Sequence, residues 1–287
     1  MKFRFVHAYR ETFRVGMMCR VLKVSRSGYY AWCRRGPSQR EQADTQLVER
    51  IRAVHEASRE TYGAPRVHAA LRTEGTRVGR KRVARLMQWE GLSGCAKQRF
   101  KRTATVRTEL PAPPNLVAGH FESEAPDRIW VGDITHIRTR EGWLYLAVLL
   151  DLFSRKVVGY ATANHTRQQL ALEAFDRAVA TRKPPPGLIH HTDRGGVYLS
   201  TEYQGRLDRF DMHCSVSKPG RCADNAVAES FFHTLKTEWL YHFDFYTREE
   251  ARLAVFEYIE GFYNRTRLHS TIGYRSPDEY ERMEAAA

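Results

Sequence analysis

The reading of this chain turns on Gly187-Leu188-Ile189-His190-His191-Thr192-Asp193-Arg194-Gly195-Gly196. An apolar lead-in delivers a polar burst and then a glycine turn, the pattern of a strand that runs out at a sheet edge and carries Asp193 past it. Downstream, Ala223 to Glu238 reads as a helix bearing Asn225, Glu229 and Lys236. At roughly 100° per residue these three fall within about 40° of one stripe. Thirty-five residues separate Asp193 from Glu229. A third acid, Asp133, lies upstream among Ile129, Trp130, Val131, Ile134 and Ile137. An ionised carboxylate left unpaired in such a run costs several kcal/mol, on the order given for buried charge, so Asp133 needs a cation.

The charge balance frames these acids. The 287 residues carry a net charge of +13. Residues 1–120 hold 25 Lys and Arg against 9 Asp and Glu, so the remainder is slightly anionic. A cationic front half joined to an acid-bearing back half suits a module that grips a polyanion and a module that binds metal. No run of about 18 apolar residues is present, which excludes a membrane-spanning helix, and the basic start lacks the apolar region of a secretory signal. Five scattered cysteines without a C-x-x-C pair argue against a disulfide framework and a zinc knuckle. No P-loop or G-x-G-x-x-G is present, so a nucleotide cofactor is not expected.

Along the chain, residues 1–36 read as three short helices, either a small helix-turn-helix unit or a hairpin that packs on a neighbour. Residues 37–102 give a helix over 40–57 and a second helix-turn-helix, with Pro65 in a first turn and Gly75 as a stop. Its second helix presents Arg80, Lys81, Arg82 and Arg85. A recognition helix puts its N-terminal part into the major groove, so these four are the expected duplex contacts; the alternative is a solvated basic face. Residues 103–120, with Pro111, Pro113 and Pro114, read as a linker. Residues 121–240 alternate strands and helices, with strands at 128–138, 143–153, 157–163, 188–191 and 212–216. Periodicity alone makes this α/β with a mixed sheet, and the element order is that of the ribonuclease H-like fold by analogy. Residues 241–287 form a C-terminal helical extension.

Local chemistry leaves alternatives open. Lone strand aspartates usually pair with Arg, Asp before Gly is common in turns, and a stripe of amide, carboxylate and ammonium can be a solvated surface. His190-His191 lacks a partner pair at zinc spacing. The combination is more specific. Trp130-Val131-Gly132-Asp133-Ile134-Thr135, His191-Thr192-Asp193-Arg194-Gly195, and Asp224-Asn225-Ala226-Val227-Ala228-Glu229-Ser230-Phe231-Phe232 with Lys236 resemble the catalytic core of the integrase-type DDE transposases of bacterial insertion sequences. Asp151-Leu152-Phe153-Ser154-Arg155, Tyr263-Asn264-Arg265 and Tyr62-Gly63 extend the resemblance over nearly the whole chain. His136, the loop Lys218-Pro219-Gly220-Arg221 and Ala223 depart from the family's pattern.

The resemblance implies a ribonuclease H-like core with a mixed five-stranded sheet and flanking helices, preceded by an all-α helix-turn-helix region. It implies Asp133, Asp193 and Glu229 as catalytic and metal-binding residues, two Mg²⁺ or Mn²⁺ ions per site, and Asn225 and Lys236 against DNA near the scissile phosphate. Such a protein would cut at the terminal inverted repeats of its element and use the freed 3′-hydroxyl to attack a second phosphodiester. It would assemble as a homo-oligomer on DNA in the bacterial cytoplasm, alone or with an upstream-frame protein. A nuclease that only hydrolyses, or a DNA-binding regulator without catalysis, are the rival classes.

Overall fold

The computed structural model describes residues 2–36, 38–95, 113–218 and 222–285. Helices α1 (Lys2–Ala8), α2 (Val15–Val21) and α3 (Arg26–Arg34) close on a small core of Val6, Met18, Cys19 and Tyr29. Ser25 caps α3 by accepting from the Gly28 N–H at 3.0 Å. Helix α4 (Gln39–Ala57) opens with a reciprocal cap, in which the Ser38 hydroxyl takes the Glu41 N–H and the Glu41 carboxylate takes the Ser38 N–H. The helix-turn-helix follows as α5 (Ala64–Thr73) and α6 (Arg80–Trp89), with Gly75 at φ 81 in the turn where an L side chain would be strained.

The sheet of the second half has the order β3-β2-β1-β4-β5. Strands β1 (Ile129–Thr139), β2 (Gly142–Asp151) and β3 (Val157–Ala163) form an antiparallel meander. Strands β4 (Ile189–Thr192) and β5 (His213–Val216) add in parallel beside β1. One face of the sheet packs on α7 (Gln168–Arg182) and α8 (Thr201–Arg209) through Trp130, Leu149, Phe175 and Tyr203. At Gly159 the close approach is obligatory, since a Cβ there would lie 2.4 Å from the Ala174 carbonyl on α7. The other face packs on α9 (Ala226–Glu238) and α10 (Arg248–Phe256) through Val131, Leu146, Val148, Phe231 and Leu235. A π-helical segment, Glu257–Tyr263, continues α10, and α11 (Pro277–Glu284) ends the described chain.

The helix-turn-helix and the sheet share one continuous core, in which Leu47, Ile51, Val67 and Leu86 run on into the β1/β2 and α9 cluster. Polar bonds fix the junction. The Tyr62 hydroxyl donates to the Thr266 carbonyl at 3.2 Å and accepts from the Leu268 N–H at 2.6 Å. Arg66 Nε donates to the Leu268 carbonyl at 3.0 Å. The Arg267 guanidinium, almost fully buried, grips the equally buried Glu238 at the end of α9 with bonds of 2.7 and 2.6 Å.

The expected linker falls partly outside the described residues. From Asn115 onward the chain is docked on the core: Asn115 Nδ2 donates to Asp224 at 2.8 Å, the Leu116 N–H donates to the Ser215 hydroxyl, and Val117 is buried.

Candidate active site

The parallel ladder brings the two aspartates together. Gly132 on β1 is the register partner of Thr192, the last residue of β4. Asp133 and Asp193 are the next residues on each chain, so they leave neighbouring strands side by side on the same face, at the roughly 4.8 Å spacing of strands. Gly132 is needed for the approach, since a Cβ at that position would meet the His190 ring at 2.9 Å. His190 itself is fully buried and bonds the Tyr203 hydroxyl at 2.6 Å. His191 bonds Ser215 and Ser217. His190 and His191 therefore point to opposite faces of the sheet and hold β4 between its neighbours.

Asp133 Oδ1 accepts from the Ile134 N–H at 2.7 Å, and Asp193 Oδ1 accepts from the Gly195 N–H at 2.9 Å, which orients each carboxylate from its own backbone. Burial, and then the charge of Asp193, push the Asp133 carboxyl up to about 7; Glu229 adds to the rise more weakly, and Lys236 opposes it. Burial also raises Asp193. Lys236 is pulled down by burial against the attraction of Asp133. Three carboxylates and one ammonium thus share one electrostatic neighbourhood. Among the described residues no three acidic, histidine or cysteine side chains are drawn together as a closed metal cage.

Helix α9 supplies Glu229 and Lys236, as the stripe in the sequence predicts. Asn225 departs from that expectation. It is buried, and its Nδ2 donates to the Gly132 carbonyl at 3.2 Å, so its amide nitrogen faces the sheet. The reason is local: Cys222–Asn225 is a 3₁₀ turn and α9 starts only at Ala226. The tighter turn rotates Asn225 off the α-helical stripe. Its role is to pin the start of α9 to the residue before Asp133.

The basic helix α6 also divides. Arg80 and Lys81 are exposed at its N-terminus. Arg82 Nε bonds Asp44 Oδ1 on α4 at 2.6 Å, Arg85 lies 3.7 Å from the same carboxylate, and the Arg85 guanidinium sits over the Trp89 ring. Those two arginines brace the helix pair. Asp151, fully buried, accepts from the Asp127 and Phe153 N–H groups and lies 3.6 Å from Arg182, away from the acids of the site.

Comparison with known proteins bears on this arrangement. The chain is 42% identical over 288 residues to the transposase InsF for insertion sequence IS3A of Escherichia coli (strain K12), covering 100% of both. It belongs to the IS3 family of insertion-sequence transposases. A 31 kDa protein of insertion element IS600 from Shigella sonnei is 42% identical to this transposase over 272 residues, covering 93% of the chain and 100% of that protein. Residues 123–222 and 229–284 of the transposase match integrase core domain families, and residues 41–102 match an HTH-like domain. The catalytic core domain of HTLV-2 integrase, solved in complex with magnesium, is 20% identical, covers 55% of this chain and 98% of that one, and superposes with a TM-score of 0.43.

Proposed function

We propose that this transposase cuts DNA at the ends of its element by hydrolysis and joins the freed 3′-hydroxyl to a second duplex by transesterification, with Asp133, Asp193 and Glu229 as the catalytic acids. The observation that carries the reading is the closeness of Asp133 and Asp193, each one residue past the Gly132/Thr192 pair that ends the β1/β4 ladder, opposite a helix that brings Glu229 and Lys236 to the same charge cluster.

The donor set fits hard divalent cations. Carboxylate oxygens are the preferred ligands of Mg²⁺ and Mn²⁺, and burial beside Asp193 raises the Asp133 carboxyl, a cost that a bound cation would relieve. Asp133 and Asp193 would hold one ion between them, and Glu229 would complete a site for a second. Bound there, such ions lower the pKa of water and stabilise the attacking and leaving oxygens of an in-line displacement. The backbone N–H bonds of Ile134 and Gly195 hold the aspartates in orientation. Lys236 offsets phosphate charge beside Asp133. Asn225 keeps α9, and with it Glu229, in register with β1. Arg80 and Lys81 reach duplex phosphates from α6, while Arg82 and Arg85 hold that helix on α4.

The partner is DNA: the element's terminal inverted repeats and a target duplex, on which the protein acts as a homo-oligomer in the bacterial cytoplasm, with or without an upstream-frame protein. No described helix is long and apolar enough to cross a membrane. Asp133→Asn, Asp193→Asn and Glu229→Gln are each expected to abolish cleavage of an inverted-repeat duplex while duplex binding persists. Cleavage retained by any one of them removes that residue from the triad, and cleavage without joined products replaces the reading with a nuclease.

A further inference from the structure

A groove of about 900 Å³ opens at the far end of the β1/β2 hairpin, next to the carboxylate cluster. One wall is the hairpin, with His136, Arg138, Arg140 and Trp143; the other is the end of α9 and the chain after it, with Lys236, Tyr241 and Phe243. The Arg140 N–H donates to the Phe245 carbonyl at 3.0 Å and ties the two walls together. The groove joins the catalytic site through Lys236, whose charge reaches Asp133 on one side and His136 on the other.

Two features of this groove stand together. Three of its aromatic rings are open to solvent, Trp143 at 47%, Tyr241 at 51% and Phe243 at 45% exposed, while Phe245 at its base is buried. The His136 ring packs edge-on against Trp143 at 4.8 Å and fixes the indole from behind. The net charge of the groove is cationic, from Arg138 and Lys236, since its one acid, Asp244, is paired with Arg140, whose guanidinium also lies over the Tyr246 ring. The cations of the groove and its continuity with the carboxylate site through Lys236 favour a polyanionic strand over a second protein copy. Rings alternating with cations are what unpaired nucleotides need, because only unpaired bases expose a π-face for stacking while the backbone still requires positive charge. A duplex hides those faces.

We infer that the groove binds single-stranded DNA, taking unpaired nucleotides beside the scissile phosphate, with bases on Trp143 and Tyr241 and phosphates on Lys236 and Arg138. This rests on the proposed function insofar as it places the strand next to a reacting phosphate. A transposase that holds the end of its substrate open here exposes the bond to be cut and keeps the released strand from re-pairing.

The test measures binding of the full chain to a fluorescently labelled oligothymidylate and to a blunt duplex, both without divalent metal. Trp143→Ala and Tyr241→Ala are each expected to weaken oligothymidylate binding by about tenfold or more, within the range for losing one stacked base, with duplex affinity unchanged. Trp143→Phe should restore most of the loss. Arg138→Ala should flatten the salt dependence of oligothymidylate binding by roughly 0.7 in slope, the single-strand value per phosphate contact, whereas the aromatic variants leave the slope alone. Unchanged oligothymidylate affinity in both aromatic variants overturns the inference, as does an equal loss on duplex. A shift in oligomeric state by sedimentation, with single-strand binding intact, overturns it in favour of an interface between copies. Because no cleavage occurs in this assay, failure of the catalytic assignment would show separately in the cleavage assay.

Discussion

Replacing Arg267 by Ala should destabilise the protein by about 3 kcal/mol, at the lower end of the cost of breaking a buried ion pair. Arg267 makes two charged bonds to Glu238, Nε to Oε2 at 2.7 Å and Nη2 to Oε1 at 2.6 Å, and both side chains are nearly free of solvent. Without Arg267, Glu238 keeps the Tyr258 hydroxyl at 2.9 Å and Arg66 at 3.6 Å. Those remaining partners hold the cost below the upper figure of about 5 kcal/mol for a stranded charge. Glu238→Leu combined with Arg267→Met removes both charges and keeps the volume, so it should cost much less than Arg267→Ala alone. Urea unfolding followed by tryptophan fluorescence provides the measure; with a slope of about 3 kcal/mol per molar, Arg267→Ala moves the midpoint by roughly 1 M. A shift under about 0.3 M, or a double variant less stable than the single one, would refute the buried-charge reasoning.

Asn225→Ala removes the donor to the buried Gly132 carbonyl; we expect a loss of about 1 kcal/mol and a fall in cleavage, with DNA affinity unchanged in a mobility-shift assay, whereas a lost affinity would return Asn225 to the DNA. Asp44→Asn releases Arg82 and Arg85 from their shared carboxylate, so if α6 lies on duplex phosphates the salt dependence of duplex binding should steepen by up to about 0.9 per arginine. Since Asp133 holds its proton up to about pH 7 and a bound cation must displace it, apparent Mg²⁺ affinity should fall by up to about tenfold per pH unit below that value. Calorimetry in two buffers of different ionisation heat should show proton release near neutral pH, and a pH-independent affinity would exclude Asp133 as a ligand. The sign follows from the raised carboxyl: in the metal-free protein, stability from protonated Asp133 is fully present below its unfolded value and is lost as pH rises through about 7.

Much of the sheet is legible in the sequence because its strands are buried on both faces and bounded by breaks in apolar pattern. Strand β3, Val157–Ala163, has the bounds its apolar run implies, and β1 and β2 agree within two residues. The acids are legible as candidates, but their proximity is not. Nothing in the spacing of Asp133 and Asp193 says that β4 lies parallel beside β1 with Gly132 opposite Thr192; that is a property of the ladder. The start of α9 is not legible, since a 100° period runs unbroken through Asn225 where the chain forms a 3₁₀ turn. Arg82 and Arg85 look like free cations because their acid, Asp44, sits far upstream on α4, where local charge counting does not reach. The groove was missed because its cations and rings come from a hairpin and a helix end about a hundred residues apart.

Helix α9 is held at both ends by different parts of the chain, and this connects the two halves of the molecule. Its start is tied to β1 through Asn225 and Gly132, one residue from Asp133. Its last residue, Glu238, is tied to Arg267, Tyr258 and Arg66. Arg66 lies on α5, the first helix of the helix-turn-helix, and Tyr62 just before that helix bonds the backbone on either side of Arg267. Glu229 and Lys236 lie between these anchors. The helix-turn-helix and the helix that carries Glu229 are therefore joined by a continuous path of charged and backbone hydrogen bonds.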